Sequence, residues 1–230
     1  MLLNLILDMF GGQIGPWEAL LVLVFSLVAL MLVFPVHECA HGLMALAFGD
    51  KTAKYQGRLS LNPLVHIDLK GFLFLLVFGF GWAKPVQINP YNFKHRRLGT
   101  IMTSVAGPLS NIIFCFVSLF LYGFFYNYGA FHEISWMVVI ADLFWYMTIY
   151  NATFAVFNLI PFPPLDGSKI VGELLPLRWR IKYYNLEQYS FYFFLVLIIL
   201  LNRFDILGYF TYGIIKGFIP IVDTILGGIL

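Results

Sequence analysis

Long apolar runs alternate with short polar segments along this chain of 230 residues. A helix that crosses the hydrocarbon core of a bilayer needs about 20 mostly apolar residues, because no water there can satisfy the backbone amides. Runs of this kind lie at residues 19–36, 98–131, 135–160, 188–202 and 206–230. The pattern predicts an all-α, polytopic membrane protein with about five to six transmembrane helices.

Three of these runs carry an internal proline, at Pro35, Pro108 and Pro220. The first run continues past Pro35 through the sequence His-Glu-Cys-Ala-His until Asp50, so we predict one long helix with a kink at Pro35. The run at 98–131 contains Gly107 and Pro108, and we predict that this span is interrupted there. The small residues around Gly107 would also let another helix approach closely.

A shorter apolar run lies at residues 71–83. It has only 13 residues, and three of them are glycine. This length is too short for a comfortable helical crossing of the bilayer. We therefore predict a short re-entrant or tilted hairpin.

The composition fits a membrane protein. Hydrophobic residues make up 60% of the chain, charged residues make up 11%, and the mean hydropathy is +0.84. Soluble domains carry about 25% charged residues, so a soluble domain is excluded. The net charge of +2 gives no basis for nucleic-acid binding. Cys39 and Cys115 both lie in apolar runs, so we predict no disulfide.

Positive charge predicts the side of the membrane that each loop faces. Eight of the 14 lysines and arginines lie between residues 49 and 97, and four more lie between 165 and 187. The two stretches fall on one side if the short hairpin does not cross the bilayer. The positive-inside rule places that side in the cytoplasm.

The segment from His37 to His41 matches the metal-binding pattern H-E-x-x-H. Residues four apart lie only about 40° apart around a helix, so the imidazoles of His37 and His41 can bind one zinc ion. Glu38 is one step around the helix, close enough to hold a metal-bound water. Two histidines and a glutamate are costly to insert into a membrane helix, which favours a functional site over a hydrogen-bonded polar cluster.

A hydrolytic zinc site needs a third protein ligand and an open position for water. The candidates from the rest of the chain are His66, Asp68, His95, Asp142 and Asp166. Asp166 and His37 lie at similar depth, because each is expected toward the cytoplasmic end of its element. His66 and His95 are typical of interfacial loops, and Asp142 is typical of a helix-pairing or interfacial acid. Depth favours Asp166, and the residues alone leave the others open.

Three motifs in this order resemble the site-2 protease family of intramembrane zinc metalloproteases: HECAH at 37–41, AGPLSN at 106–111 and NLIPFPPLDG at 158–167. The strings GRLSLNPLVHID and GWAKPVQINPYNF resemble the small subgroup that is little more than the membrane core, without PDZ or CBS domains. The resemblance implies that His37, His41 and Asp166 ligate Zn2+. It also implies that Glu38 is the catalytic acid and base, and that Asn158 positions the substrate or stabilises the oxyanion.

The resemblance has further implications. Gly107, Asn111 and Gly167 are expected to support the site structurally. The expected substrate is a transmembrane protein or peptide, cut near the cytoplasmic face of a prokaryotic plasma membrane. We expect one membrane-embedded peptidase domain over residues 1–230, with a catalytic core at about 17–175 and extra helices at about 186–230. Residues 86–89, which lie between two prolines, could offer an extended edge to an unwound substrate.

Three other functions were compared with the protease. A transporter or channel could use His37, Glu38 and His41 as a relay, but it should show paired broken helices in two repeats, which the sequence lacks. A membrane di-iron oxidase needs more than the five histidines present. A catalytically dead adaptor would have lost Glu38 or a ligand. The predicted function is therefore an intramembrane zinc metalloprotease.

Overall fold

The computed structural model of the protein describes residues 2–78 and 81–228. In these residues the secondary structure is helical, apart from one isolated β-bridge. The α-helices are α1 (Leu2–Phe10), α2 (Pro16–Ala47), α3 (Thr52–Tyr55), α4 (Pro63–His66), α5 (Leu69–Phe78), α6 (Arg96–Phe131), α7 (Ser135–Leu159), α8 (Asp166–Leu174), α9 (Leu177–Tyr184), α10 (Ser190–Arg203) and α11 (Ile206–Leu226). Single turns of 3-10 helix lie at Pro90–Asn92 and Asn185–Tyr189. The prediction of an all-α protein is confirmed.

Four of the described helices, α2, α6, α7 and α11, are long and apolar enough to cross a membrane. The prediction of a polytopic membrane protein is therefore confirmed, although the described part holds fewer long helices than the five to six predicted. The difference lies in the run at 188–202. Its helix α10 has 14 residues and rises only about 21 Å, because a 3-10 turn occupies the start of the run.

Helix α2 continues without a break from the apolar run into the H-E-x-x-H segment, as predicted. At its start, the Glu18 carboxylate accepts the backbone N–H of Gly15 at 2.9 Å. At its end, Gly49 adopts a left-handed φ of 108° and the N–H of Asp50 donates to the carbonyl of Ala45. Pro35 lies buried inside the helix, and the kink there stays a prediction.

Helix α6 is one continuous helix through Gly107 and Pro108, so the predicted interruption is wrong. Proline has no N–H to donate to the carbonyl one turn earlier, at Ser104. Both Ser104 and Pro108 are buried inside the bundle. Membrane helices tolerate such a missing bond where neighbouring helices pack against it.

The segment around α5 doubles back on itself. Ile67 and Ala83 form an antiparallel bridge, and the N–H of Lys84 donates to the carbonyl of His66 at 2.7 Å. A Cβ atom on Gly71 would overlap the carbonyl of Trp82, so the two arms touch where glycine has no side chain. The two arms agree with the predicted hairpin, and residues 79 and 80 between them lie outside the described residues.

The long helices α6, α7 and α11 share a small hydrophobic core. It contains Cys115 and Leu119 of α6, Ala152 of α7, and Ile215 and Val222 of α11. Many large apolar side chains on the outer faces are exposed, as expected of a surface that faces lipid. Cys39 and Cys115 are both free thiols.

The polar stretch after α7 folds into α8 and α9 and is fixed by buried polar contacts. The carboxylate of Glu173 is buried and pairs with the Arg180 guanidinium at 3.1 Å, and it accepts the Tyr184 hydroxyl at 3.2 Å. The Tyr183 hydroxyl donates to the carbonyl of Pro161 at 2.7 Å. These contacts hold α9 against the segment that carries Asp166.

Candidate metal centre

His37, His41 and Asp166 converge on one point inside the protein, where they form a group that could hold a metal ion. The Nε2 atoms of the two histidines are 3.0 Å apart. Oδ2 of Asp166 lies 3.3 Å from Nε2 of His37 and 3.0 Å from Nε2 of His41. All three side chains are buried. The structure thus brings together the three residues that the sequence analysis named as ligands.

The outer nitrogen of each imidazole is bound to an oxygen acceptor. Nδ1 of His37 lies 2.5 Å from Oδ1 of Asn111, and Nδ1 of His41 lies 2.7 Å from the carbonyl oxygen of Thr103. Each Nδ1 therefore carries a hydrogen, and each Nε2 presents its lone pair to the centre. Asn111 contacts a histidine directly, whereas the sequence analysis gave it only a supporting role.

The amide of Asn111 is itself held by a second asparagine. Nδ2 of Asn111 donates to Oδ1 of Asn151 at 2.9 Å, and Nδ2 of Asn151 donates to the carbonyl of Met147 at 2.9 Å. Asn111 and Asn151 are both buried. Sequence reasoning missed Asn151, because nothing in the pattern of α7 showed which neighbour its side chain meets.

Gly107 lets α6 approach α2 at the two histidines. A Cβ atom on Gly107 would overlap the imidazole of His41 and come within 2.7 Å of Cε1 of His37. The imidazoles of His37 and His41 are buried and hydrogen-bonded at Nδ1, so they have little freedom to move away from an added methyl group. The expectation of close helix approach at Gly107 agrees with this geometry.

Asp166 is the first residue of α8, and Gly167 brings it to the site. A Cβ atom on Gly167 would overlap the carbonyl oxygen of Leu159, so the start of α8 packs directly on the end of α7. Oδ1 of Asp166 faces the Lys169 ammonium at 3.4 Å. Burial raises the pKa of the Asp166 carboxyl, but when His41 is protonated its charge, the hydrogen bonds from His37 and His41 and the Lys169 ammonium outweigh burial and hold that pKa well below its usual range.

Glu38 lies beside the centre on α2, and its carboxylate accepts a hydrogen bond from a residue outside α2. Oε2 of Glu38 accepts the backbone N–H of Val86 at 2.9 Å. Val86 is buried and begins the segment at 86–89, which has no regular secondary structure and which the sequence analysis considered as an extended substrate edge. The segment therefore lies directly against Glu38.

Asn158 lies in the last turn of α7 and is partly buried. Its Nδ2 donates to the carbonyl of Phe154, one turn earlier in the same helix, at 3.0 Å. An amide nitrogen carries two hydrogens, so this bond leaves a second hydrogen for another acceptor.

The other third-ligand candidates occupy other places. His66 is buried at the end of α4, not in a loop, with Nε2 at 2.8 Å from the carbonyl of Ser60. Asp68 accepts the N–H of Gly71 at the start of α5. His95 and Asp142 are exposed.

The donor set fits zinc. Zinc bonds of about 2.0–2.2 Å in a tetrahedron place ligand atoms about 3.3–3.6 Å apart, which is within a few tenths of an ångström of the observed separations. Two imidazole nitrogens and one carboxylate oxygen are typical zinc ligands, and three protein ligands leave a fourth position open. Three acceptor atoms that face one another also need a cation or a proton between them.

Comparison with known proteins identifies the family. The sequence profile of peptidase family M50 matches residues 25–201, a range that contains every residue of the centre. The chain belongs to peptidase family M50. This M50 peptidase is 41% identical to YwhC of Bacillus subtilis (strain 168) over 175 residues, which is 76% of this chain and 80% of YwhC. No solved structure matches the chain significantly.

Two more distant relatives also match most of the chain. A protein of Methanocaldococcus jannaschii is 28% identical over 77% of this chain and 84% of its own length. Rip2 of Mycolicibacterium smegmatis is 26% identical over 84% of this chain and 74% of its own length. These relatives and YwhC carry names that describe zinc metalloproteases.

The M50 family is the site-2 protease family, so the resemblance seen in the sequence is confirmed. The family and the relatives identify the protein as a zinc metalloprotease. Its long apolar helices identify it as an integral membrane protein.

Proposed function

We propose that this M50 peptidase hydrolyses a peptide bond in or near a transmembrane segment of a membrane-protein substrate, close to the cytoplasmic face. In this proposal His37, His41 and Asp166 hold one Zn2+ ion and Glu38 is the catalytic acid and base. The observation that carries the proposal is the convergence of two Nε2 atoms and one carboxylate oxygen within 3.3 Å of one another.

Bound zinc would supply a Lewis acid and would lower the pKa of a water molecule to about 7. The chain itself fixes the ligands before any ion binds. Asn111 and the Thr103 carbonyl orient the two imidazoles, and Gly167 places the Asp166 carboxylate against them. Such outer contacts raise the basicity of the histidines and set their tautomer.

Glu38 moves the proton. Its carboxylate takes a proton from the attacking water, and the protonated group then donates it to the leaving amine. The Val86 N–H holds Oε2 of Glu38, which leaves the other carboxylate oxygen for proton transfer. Glu38 is adjacent to His37 in the chain, so it lies beside the centre and stays outside the ligand set.

Asn158 is proposed to position the substrate or to stabilise the oxyanion. A neutral side-chain amide can donate a hydrogen bond to the charge that develops on the carbonyl oxygen. The bond from Asn158 to Phe154 supports this role, because it holds the amide in the turn just before the segment that leads to Asp166.

The substrate has to unwind before it is cut. A transmembrane helix hides each carbonyl in a hydrogen bond with its own backbone, so residues with weak helix propensity near the cleaved bond should favour cleavage. The segment at 86–89 lies against Glu38 with Gln87 exposed and has no helical structure, which supports its use as an edge for the unwound substrate.

Charge supports a cytoplasmic active site. The centre lies between the end of α2 and the start of α8. The polar segments that follow these points, at 49–97 and 165–187, carry twelve of the 14 lysines and arginines. The positive-inside rule places such segments in the cytoplasm.

Metal analysis of the detergent-purified protein tests the proposal, with a generic transmembrane reporter as substrate. Glu38→Gln should keep about one zinc ion per chain and lose cleavage. Asp166→Ala should lose both zinc and cleavage. Lys169→Ala is the matched control, because it removes the exposed partner of Asp166 and leaves the three ligands in place. Cleavage retained by Glu38→Gln, or zinc retained by Asp166→Ala, would contradict these roles.

A further inference from the structure

We propose that Asp50 is a positioning residue for catalysis: its carboxylate fixes the segment at 86–89, and this segment in turn orients Glu38. The inference rests on the proposed role of Glu38 as the acid and base. It concerns a residue about three helical turns away from Glu38 along the chain, outside the three site motifs.

The Asp50 carboxylate is fully buried and accepts four hydrogen bonds. Two come from its own side of the contact, from the N–H of Thr52 at 3.0 Å and the hydroxyl of Thr52 at 2.5 Å. Two cross to the neighbouring segment, from the N–H of Asn89 at 2.7 Å and from Nδ2 of Asn92 at 2.8 Å. Asp50 therefore joins the end of α2 to the segment that follows the hairpin.

That segment is attached to α2 at two points. At one point Val86 donates its N–H to Glu38, and the Val86 side chain packs toward Gly42, where an added Cβ would be 3.5 Å from Cγ1 of Val86. At the other point, three residues later, Asn89 donates its N–H to Asp50. Loss of the Asp50 contact would free one end of a short segment whose other end contacts Glu38.

The contacts with Thr52 cap the short helix α3, but the dipole of α2 does not favour an acid at this position. The C-terminal end of a helix carries partial negative charge, so a carboxylate just beyond α2 is electrostatically unfavourable there. A buried carboxylate is also costly unless hydrogen bonds compensate it. Both costs make sense for a residue that accepts two hydrogen bonds from another segment.

Hydrogen bonding keeps this group ionised. Burial raises the pKa of the Asp50 carboxyl, but the bonds from Thr52, Asn92 and Asn89 outweigh burial and hold that pKa below its usual value. Hydrogen bonds to an ionised acceptor are roughly twice as strong as neutral ones. The contact can therefore hold the segment at neutral pH.

A double-mutant cycle on kcat, corrected for zinc content, tests the inference. Asp50→Asn replaces an acceptor with a donor at the contact. Val86→Pro removes the N–H that binds Glu38, and Val86→Ala is its reference because it keeps the N–H and removes the side chain. We expect Asp50→Asn and Val86→Pro each to lower kcat about 10- to 100-fold, since small displacements of a catalytic group cost rates of that order.

The coupling between Asp50→Asn and Val86→Pro shows whether Asp50 acts through Val86. If Asp50 acts through Val86, the double variant should be within about twofold of the weaker single variant. Losses that multiply would overturn the inference, because they would show two independent effects. Lys54→Ala is the matched control: Lys54 is exposed on the same short helix as Thr52, and kcat should change by less than about threefold.

One replacement variant and one parallel measurement distinguish the possible outcomes. If Asp50→Asn binds less zinc or is poorly produced, the cycle is run with Asn92→Ala, which removes one donor and keeps the carboxylate with its other three. Glu38→Gln is measured in parallel. An active Glu38→Gln would contradict the proposed function, whereas an inactive Glu38→Gln with multiplying losses would contradict only the role of Asp50.

Discussion

Oδ1 of Asn111 lies 2.5 Å from Nδ1 of His37, and this contact fixes the direction in which the histidine faces. The Asn111 amide cannot turn around without losing its bond to Asn151, because its nitrogen already donates there. Asn111 thus presents an oxygen to His37, and the Nε2 lone pair of His37 points at the centre. A residue of α6 determines how a residue of α2 can bind metal.

Substitution of Asn111 tests its contact with His37. Asn111→Leu keeps the branched side-chain shape with the same number of heavy atoms and removes the acceptor for His37. Zinc affinity should fall about 10- to 100-fold, which is the usual effect of losing an outer-shell partner of a histidine ligand. Competition between the protein and a zinc chelator measures this affinity.

Asn127→Leu is the control for that experiment. Asn127 lies in the same helix and donates to the carbonyl of Gly123, far along α6 from the histidines. Its substitution should leave zinc affinity unchanged. Equal affinities in Asn111→Leu and in the unmodified protein would show that the contact does not tune the metal.

Gly107→Ala should damage the centre although it adds only one methyl group. The added Cβ overlaps the imidazole of His41, so zinc content and cleavage should both fall. Gly213→Ala is the matched control, because a Cβ there meets no atom within 4 Å. Metal analysis of both variants makes the comparison, and normal zinc content in Gly107→Ala would mean that α6 can move away.

Asn158→Leu should separate metal binding from turnover. Loss of an oxyanion donor typically lowers kcat about 100- to 1,000-fold. Zinc content should stay at the level of the unmodified protein, because Asn158 is outside the proposed ligand set. A rate close to that of the unmodified protein would remove Asn158 from the catalytic residues.

Arg180→Met should destabilise the fold without touching the centre. It leaves the buried Glu173 carboxylate without its ion-pair partner, which costs about 3 kcal/mol of unfolding free energy. Arg178→Met is the control, because Arg178 is exposed on the same helix. Denaturant unfolding in detergent micelles measures both variants, and equal stabilities would contradict a structural role for the pair.

Asp50 should make stability depend on pH. Its pKa in the folded protein lies below the value of about 3.9 expected in the unfolded chain. A lowered pKa stabilises the folded state above pH 3.9, and this stabilisation is lost as the pH falls through the folded-state pKa.

Thermal unfolding of the unmodified protein and of Asp50→Asn between pH 7 and about pH 3 measures this effect. The difference in stability should be constant from pH 7 to about pH 5 and should shrink below about pH 3.9. A difference that grows toward acid pH would contradict the sign.

Local patterns predicted most of the secondary structure. The apolar runs gave α2, α6, α7 and α11, because helix formation in a bilayer depends on the polarity of each segment. Predictions that depended on neighbouring segments were less accurate. Pro108 does not interrupt α6, because packing around it compensates the missing bond, and His66 is buried in α4 instead of lying in a loop. The run at 188–202 forms the short helix α10.

The sequence alone determined that this is a helical membrane protein and that His37, Glu38 and His41 lie together, because four residues make one turn of a helix. It reached Asp166 only with the help of the family resemblance. Tertiary structure decided which distant groups complete the arrangement: Asn111 with Asn151, the Thr103 carbonyl, and Asp50 through Val86. No periodicity encodes these contacts, because each joins segments that meet only after the helices have packed.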